Sequence, residues 1–301
     1  MQTEINTILV PTDFSPKSNN ALKVAVKMAK RHEAKLILVH MVHTFYIIDK
    51  GGKQVVGSKV VEDTLESTQI KLEQTRIAIA EKYNLSIETH ISTQNLVDTV
   101  NEFILKENID LVILGSSGQQ TYKEFFLGSN SYNVLLHANC SVLLIPQKFK
   151  KTTFKNILLP IRVTHELQQK SELSLLIARK NEGEIYLLGV GKPEPIVKMK
   201  NAYGEIKKAL YNESAEYSAD FKITEYSAAL IAQEAVEKNC DIILIADRDE
   251  DSWKSFMAEN FFKKIINSTD IPLLFVKSKL KRIKDDSTPM ENYDLTLPIP
   301  G

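Results

Sequence analysis

The feature that most constrains this chain is that it repeats itself. Asn156-Ile157-Leu158-Leu159-Pro160 restates Thr7-Ile8-Leu9-Val10-Pro11, and the register runs without a gap through the next helical stretch into residues 185–190. Further on, Asp241-Ile242-Ile243-Leu244-Ile245 matches Asp110-Leu111-Val112-Ile113-Leu114, in a second ungapped register that carries residues 273–276 opposite 142–145. The second copy is the shorter one, and its loss falls between its second and fourth strands. Self-similarity in fixed register implies one architecture built twice. A chain of 301 residues holds two domains of ordinary size, each with its own core. The expected division is a domain over 1–147, a linker over 148–153, a second domain over 154–278 and a tail over 279–301.

The first copy reads as alternating strands and helices. Residues 7–11 form a continuous apolar run; Ser15 is placed to cap the next helix, with Pro16 in its first turn. Ala21, Val24, Ala25 and Met28 give that helix one apolar face. A second apolar run at 36–41 has the character of a strand covered on both faces, as in parallel sheets. Residues 43–60, with Gly51, Gly52 and Gly57, read as a long functional or mobile connection. Then come a polar helix striped by Leu65, Leu72 and Ile79, a strand over 86–92, and a helix marked by Leu96, Val100, Phe103 and Ile104. The expected fold is α/β: two tandem doubly wound, Rossmann-like domains, each with a five-stranded parallel sheet. After Lys279 three prolines and no helical period predict a surface-draped or poorly ordered tail, with Leu295, Leu297 and Ile299 as anchors in an alternative docking reading.

Composition narrows the function classes. Lys plus Arg and Asp plus Glu both number 38, so bulk charge makes no case for nucleic acid. No apolar run reaches membrane-spanning length and no signal-peptide pattern opens the chain, which sets a cytoplasmic expectation. The two cysteines, Cys140 and Cys240, stand beside predicted strands and read as small apolar residues in a reducing compartment, not as a metal site or disulfide framework.

The chemistry concentrates in residues 111–145. An apolar strand runs into Gly115-Ser116-Ser117-Gly118, and nine residues later Gly128-Ser129 opens a helix. Glycines at a strand-to-helix turn admit backbone N–H groups close to an anion, and the positive end of the helix dipole adds to the field there. Phosphate binding is one reading; tight turns and close helix–strand packing are the other. Asp13, after the first strand, lies on the same sheet edge as Gly115. Its carboxylate suits ribose hydroxyls or an exocyclic amine, and capping or turn duty is its alternative. No lysine follows Ser129 as in a Walker motif, so phosphate charge would lean on Mg²⁺; Lys123 in the spacer reads as a solvated side chain.

The spacing G-x-x-G-x9-G-S, with Ile8-Leu9-Val10-Pro11-Thr12-Asp13-Phe14-Ser15 and Leu36-Ile37-Leu38-Val39-His40, resembles the ATP-binding branch of the universal stress protein family. The resemblance implies an ATP site in the first half. There Pro11, Thr12 and Asp13 would meet the nucleoside, Met41 and Val42 would border the adenine, and Gly115, Gly118, Gly128 and Ser129 would cradle ribose and phosphates. Asn130 would add a backbone N–H. It also implies dimerisation through last strands. The two halves are therefore expected to pair inside one chain as a pseudo-dimer, with further homodimerisation and an unidentified protein partner open.

The second copy departs from the pattern at five of the matched positions. Asp13 becomes Arg162, Gly115 becomes Ala246, Gly118 becomes Asp249, Gly128 becomes Glu259 and Ser129 becomes Asn260. An acidic run, Asp247-Arg248-Asp249-Glu250-Asp251, stands where phosphates would sit and would repel them. Arg162 is expected to pair with Asp247 or Asp249, a metal site being the sharper alternative. His40 ends a buried strand, and His43, His90 and His137 form no catalytic constellation. A stress-adaptation sensor is favoured; slow ATP hydrolysis or self-phosphorylation, and a nucleotide-free scaffold, are the rivals.

Overall fold

The computed structural model describes residues 4–42, 46–48, 54–56, 58–117, 129–162, 167–192, 196–246 and 255–277. In chain order the first half contains β1 (Thr7–Thr12), α1 (Pro16–His32), β2 (Lys35–Met41), β3 (Tyr46–Ile48), β4 (Gln54–Val56), α2 (Ser58–Tyr83), β5 (Ile87–Ser92), α3 (Leu96–Glu107), β6 (Leu111–Ser116), α4 (Ser129–His137) and β7 (Ser141–Pro146). The second contains β8 (Asn156–Ile161), α5 (Leu167–Asn181), β9 (Glu184–Gly191), α6 (Ile196–Asn212), β10 (Tyr217–Ile223), α7 (Ser227–Glu237), β11 (Ile242–Ala246), α8 (Ser255–Ser268) and β12 (Leu273–Val276).

Ten strands form one sheet in the order β10-β9-β8-β11-β12-β7-β6-β1-β2-β5. Pairing is parallel within each half. At the centre β12 meets β7 antiparallel, with Leu273 opposite Leu144, Leu274 opposite Leu143 and Phe275 opposite Val142. Both strands are buried along their whole length. Left apart, each would expose a row of unpaired backbone groups on an apolar edge.

Burial on both faces explains the apolar runs. One core layer holds Ile8, Val10, Leu36, Leu38, Ile157 and Leu159 together with residues of α1, α2, α5 and α6. The alternate strand residues, such as Leu9, Ile37, Val112 and Leu158, pack with α3, α4, α7 and α8 on the other face. Each layer crosses from one half to the other.

The stretch read as an open connection after β2 holds more regular structure than expected. Its described residues form the antiparallel hairpin β3–β4, and α2 begins at Ser58. The shortening of the second copy falls here too: α6 has 17 residues where α2 has 26, and a helix follows β9 without a hairpin among the described residues. Leu72 is buried and Ile79 packs against the core, so the stripe on α2 faces inward as expected. The tail, including Leu295, Leu297 and Ile299, lies outside the described residues.

Two aspartates at matched positions hold the amino ends of the strands. Asp110 Oδ2 accepts from the amides of Asn6 (2.7 Å) and Thr7 (2.9 Å). Asp241 Oδ2 accepts from those of Lys155 (2.8 Å) and Asn156 (3.0 Å), and its other oxygen meets Lys151 Nζ at 2.5 Å. Both cysteines are buried; desolvation pushes the Cys240 thiol up to about 12, which keeps it protonated and apolar in behaviour.

Candidate functional site

The strand order reverses at β1. The chain proceeds outward from β1 to β2 and β5, then returns to place β6 on the other side. Crevices at such reversals, beyond the carboxyl ends of the strands, are where open α/β sheets take ligands. β1 and β2 stay paired to Thr12 opposite His40, whereas the β1–β6 register covers only Ile8–Leu111 and Leu9–Val112. The carboxyl ends of β1 and β6 therefore draw apart, and Asp13 and Ser117 follow them at the mouth.

A dense set of hydrogen bonds fixes the turn after β1. Phe14 adopts φ 58, a left-handed conformation costly for a side-chain-bearing residue, and its neighbours hold it there. The Phe14 amide donates to Thr12 Oγ1 (3.1 Å), the Ser15 amide to Asp13 Oδ1 (3.0 Å) and Asn19 Nδ2 to the Phe14 carbonyl (3.0 Å). Ser15 caps α1 by accepting from the Ser18 amide, and Pro16 occupies the first turn. The Phe14 ring stacks on His40 (centroids 4.8 Å) under Lys71 Nζ (4.2 Å). His40 Nδ1 lies 2.8 Å from the Thr12 carbonyl, so this histidine is a structural brace of the β1–β2 edge.

Asp13 is exposed at the rim. Partial burial alone would raise its pKa. Hydrogen bonds from Ser15 and Ser18 and the nearby Lys17 charge outweigh that and hold the carboxyl below the usual range, so it is ionised at neutral pH. It serves the turn with one oxygen, as its alternative reading expected. Pro11 and Thr12 are buried in β1; Val42 is buried and Met41 half-buried at the end of β2. Pro11, Thr12, Asp13, Met41, Val42 and Gly115 thus come together on one edge of the sheet.

Gly115 has a reason of its own. A Cβ there would lie 2.4 Å from the Lys17 carbonyl oxygen and 2.9 Å from the Ser18 amide nitrogen. The glycine lets the first turn of α1 settle against the end of β6, so close helix–strand packing is what requires it. Gly118, Gly128 and Lys123 lie outside the described residues. Ser129 and Asn130 enter through their backbone, as the first residues of α4.

In the second half, β8 and β11 draw apart in the same way, the register covering Ile242–Ile157 and Ile243–Leu158. The groups at the crevice differ. The Arg162 guanidinium lies over the Phe261 ring at 3.7 Å, a contact the sequence reading did not anticipate. Asp247 and Asp249, its expected partners, lie outside the described residues, and so does the rest of the acidic run. Sequence reasoning also missed Lys170, which is 2 % exposed and donates from Nζ to the Pro160 carbonyl. The repeat carried the signal: Lys170 stands where the first copy has Ala21, on an apolar helix face. A separate cleft of about 660 Å³ opens at the opposite sheet edge between α1 and α5, lined by His32, Glu172 and Arg179 among others, and is unrelated to the crevices.

The fold and crevice define a doubly wound α/β protein with a switch-point site. Residues 4–146 match the model of the universal stress protein family. The chain is 25% identical over 147 residues to a universal stress protein of Methanocaldococcus jannaschii, covering 48% of this chain and 84% of that one. It is 26% identical over 140 residues to one of Thermus aquaticus, covering 46% of this chain and 97% of the relative. The crystal structure of a universal stress protein from Archaeoglobus fulgidus superposes with a TM-score of 0.71 at 16% identity, covering 91% of this chain and 99% of that chain. The last likeness is one of fold. The sequence likenesses to universal stress proteins cover the first half of the chain. Among the described residues no helix is long and apolar enough to cross a membrane.

Proposed function

We propose that this chain is a tandem universal stress protein that binds ATP, with Mg²⁺, in the β1–β6 crevice of its first half and acts as a stress-response sensor. The observation that carries the reading is the splayed switch point, flanked by an ionised Asp13 on one strand end and by Ser117 leading toward α4 on the other. The ribose end of the nucleotide meets Asp13, the adenine lies along Met41 and Val42, and the phosphates lie against the amides of the 115–130 segment and the start of α4. The domain division at 147 and 154 goes with this reading. The second half, with Arg162 and Ala246 at the matched positions, binds no ATP and serves as an intramolecular dimerisation scaffold through β7 and β12. Binding is favoured over turnover because His40, at the end of β2, is committed to Thr12 and Phe14.

The test is the ligand carried by freshly purified protein, released by denaturation and identified by mass spectrometry, beside the thermal midpoint with and without Mg-ATP. The reading expects an adenine nucleotide and a midpoint raised by Mg-ATP in the wild type, with both absent from Gly118→Asp. A midpoint indifferent to Mg-ATP would favour a nucleotide-free scaffold.

A further inference from the structure

Lys277, the residue after β12, belongs to the second half by sequence and to the first by contact. It is 8 % exposed. Its ammonium donates to the carbonyls of Leu135 (2.7 Å), Ala138 (3.0 Å) and Leu136 (3.4 Å), and its amide donates to Ser141 Oγ (3.1 Å). Leu135 and Leu136 form the last turn of α4, and Ala138 follows it directly. The last carbonyls of a helix have no intrahelical donors and carry the negative end of its dipole. A buried cation among them acts in a medium that screens it far less than water does. Helix α4 spans nine residues, too few to be stable on local bonds alone, so what grips its end sets its position. The arrangement runs one way. The position matching Lys277 in the first copy is Pro146, which has no side-chain donor to offer α8.

We propose that Lys277 is a positioning residue for the nucleotide site. The second half uses it to hold the carboxyl end of α4, so that the amides opening the same helix at Ser129 and Asn130 stay aimed at the phosphates. The inference rests on the ATP reading above and gives the scaffold half a defined task there. Anion at one end of α4 and cation at the other both follow the helix dipole, so each strengthens the other's hold.

The experiment is calorimetric titration of the full chain with Mg-ATP and, separately, with adenosine, in the wild type, in Lys277→Met and in Lys148→Gln. Lys148 is an exposed control whose ammonium lies 3.7 Å from Asp270. Lys277→Met is expected to weaken Mg-ATP by about three- to tenfold and leave adenosine unchanged, with faster hydrogen exchange along α4. Lys148→Gln is expected to match the wild type. Should Lys277→Met not fold, Lys277→Gln keeps a donor, drops the charge and is read the same way. Unchanged Mg-ATP affinity, or equal losses for both ligands, overturns the proposal, the second because a general loosening of the fold moves both. A wild type that takes up neither ligand brings down the ATP reading itself, an outcome distinct from a variant that binds as well as its parent.

Discussion

At the end of β1 the chain turns through Asp13, Phe14 and Ser15 under a set of local hydrogen bonds; at the matched end of β8 it presents Arg162 lying over Phe261. Below these crevices the two halves agree closely. The same aspartate, Asp110 or Asp241, gathers two strand amides, and the strands part after the same pairs. The two copies share what holds the sheet together and differ in the groups at the crevice. The shared sheet explains why: β7 and β12 are each other's neighbours, so neither half can lose its strands without exposing the other's edge.

The comparison can be broken first at the aspartates. Asp241 is 3 % exposed, and Asp241→Ala leaves two strand amides without their acceptor, a loss of about 3 kcal/mol. Asp110 is half-buried, water can replace it in part, and Asp110→Ala is expected to cost about 2 kcal/mol. Urea unfolding of both variants checks this; equal losses would show that burial does not separate the two copies.

A second asymmetry is set by pH. His32 is buried at 6 % exposure, and its ring nitrogens have no hydrogen-bond partner among the described residues, whereas Asn181 at the matched position accepts from the Phe154 amide and donates to the Ile177 carbonyl. Burial first, then the charges of Lys180 and Arg31, lower the His32 pKa from 6.5 to about 4. The unfolded chain therefore takes up a proton that the folded one refuses. Stability is full above pH 6.5 and falls as the pH drops toward 4, by about 3 kcal/mol in the limit. His32→Asn, which installs the residue of the second copy, should remove this part of the acid loss. Unfolding curves across that interval that stay parallel for wild type and variant would contradict it.

Gly115 offers a smaller effect with a sharper sign. Gly115→Ala drives a Cβ to 2.4 Å from a backbone oxygen of α1 and should cost about 2 kcal/mol. Ala246→Gly, the reverse exchange in the second half, should cost about 1 kcal/mol or less through chain entropy. Thermal midpoints in the opposite order would mean that α1 does not press on β6. Ser15→Ala, which removes the cap of α1, is expected to cost about 1 kcal/mol by the same measurement.

Much of the fold was legible because duplication and burial leave plain traces. Continuous apolar runs marked the strands, Ser15-Pro16 marked the start of α1, and the equally apolar residues 142–145 and 273–276 marked the strands that pair across the centre. The β3–β4 hairpin was not legible, since strands as short as Tyr46–Ile48 and Gln54–Val56 show no period among glycines and polar residues. Gly115 stood out in the sequence, but ligand approach and helix packing both demand a glycine, and only the placement of the Lys17 carbonyl reveals the packing demand. Lys277 left no sequence signal because its partners are main-chain carbonyls, which every residue carries.

The difference between the two crevices is most directly measured by calorimetric titration of the full chain with Mg-ATP. One equivalent per chain, lost in Gly118→Asp, is the predicted result. Two equivalents, one of them surviving that substitution, would show the second crevice to be competent, and no binding at all would leave the duplicated sheet without the nucleotide site assigned to it.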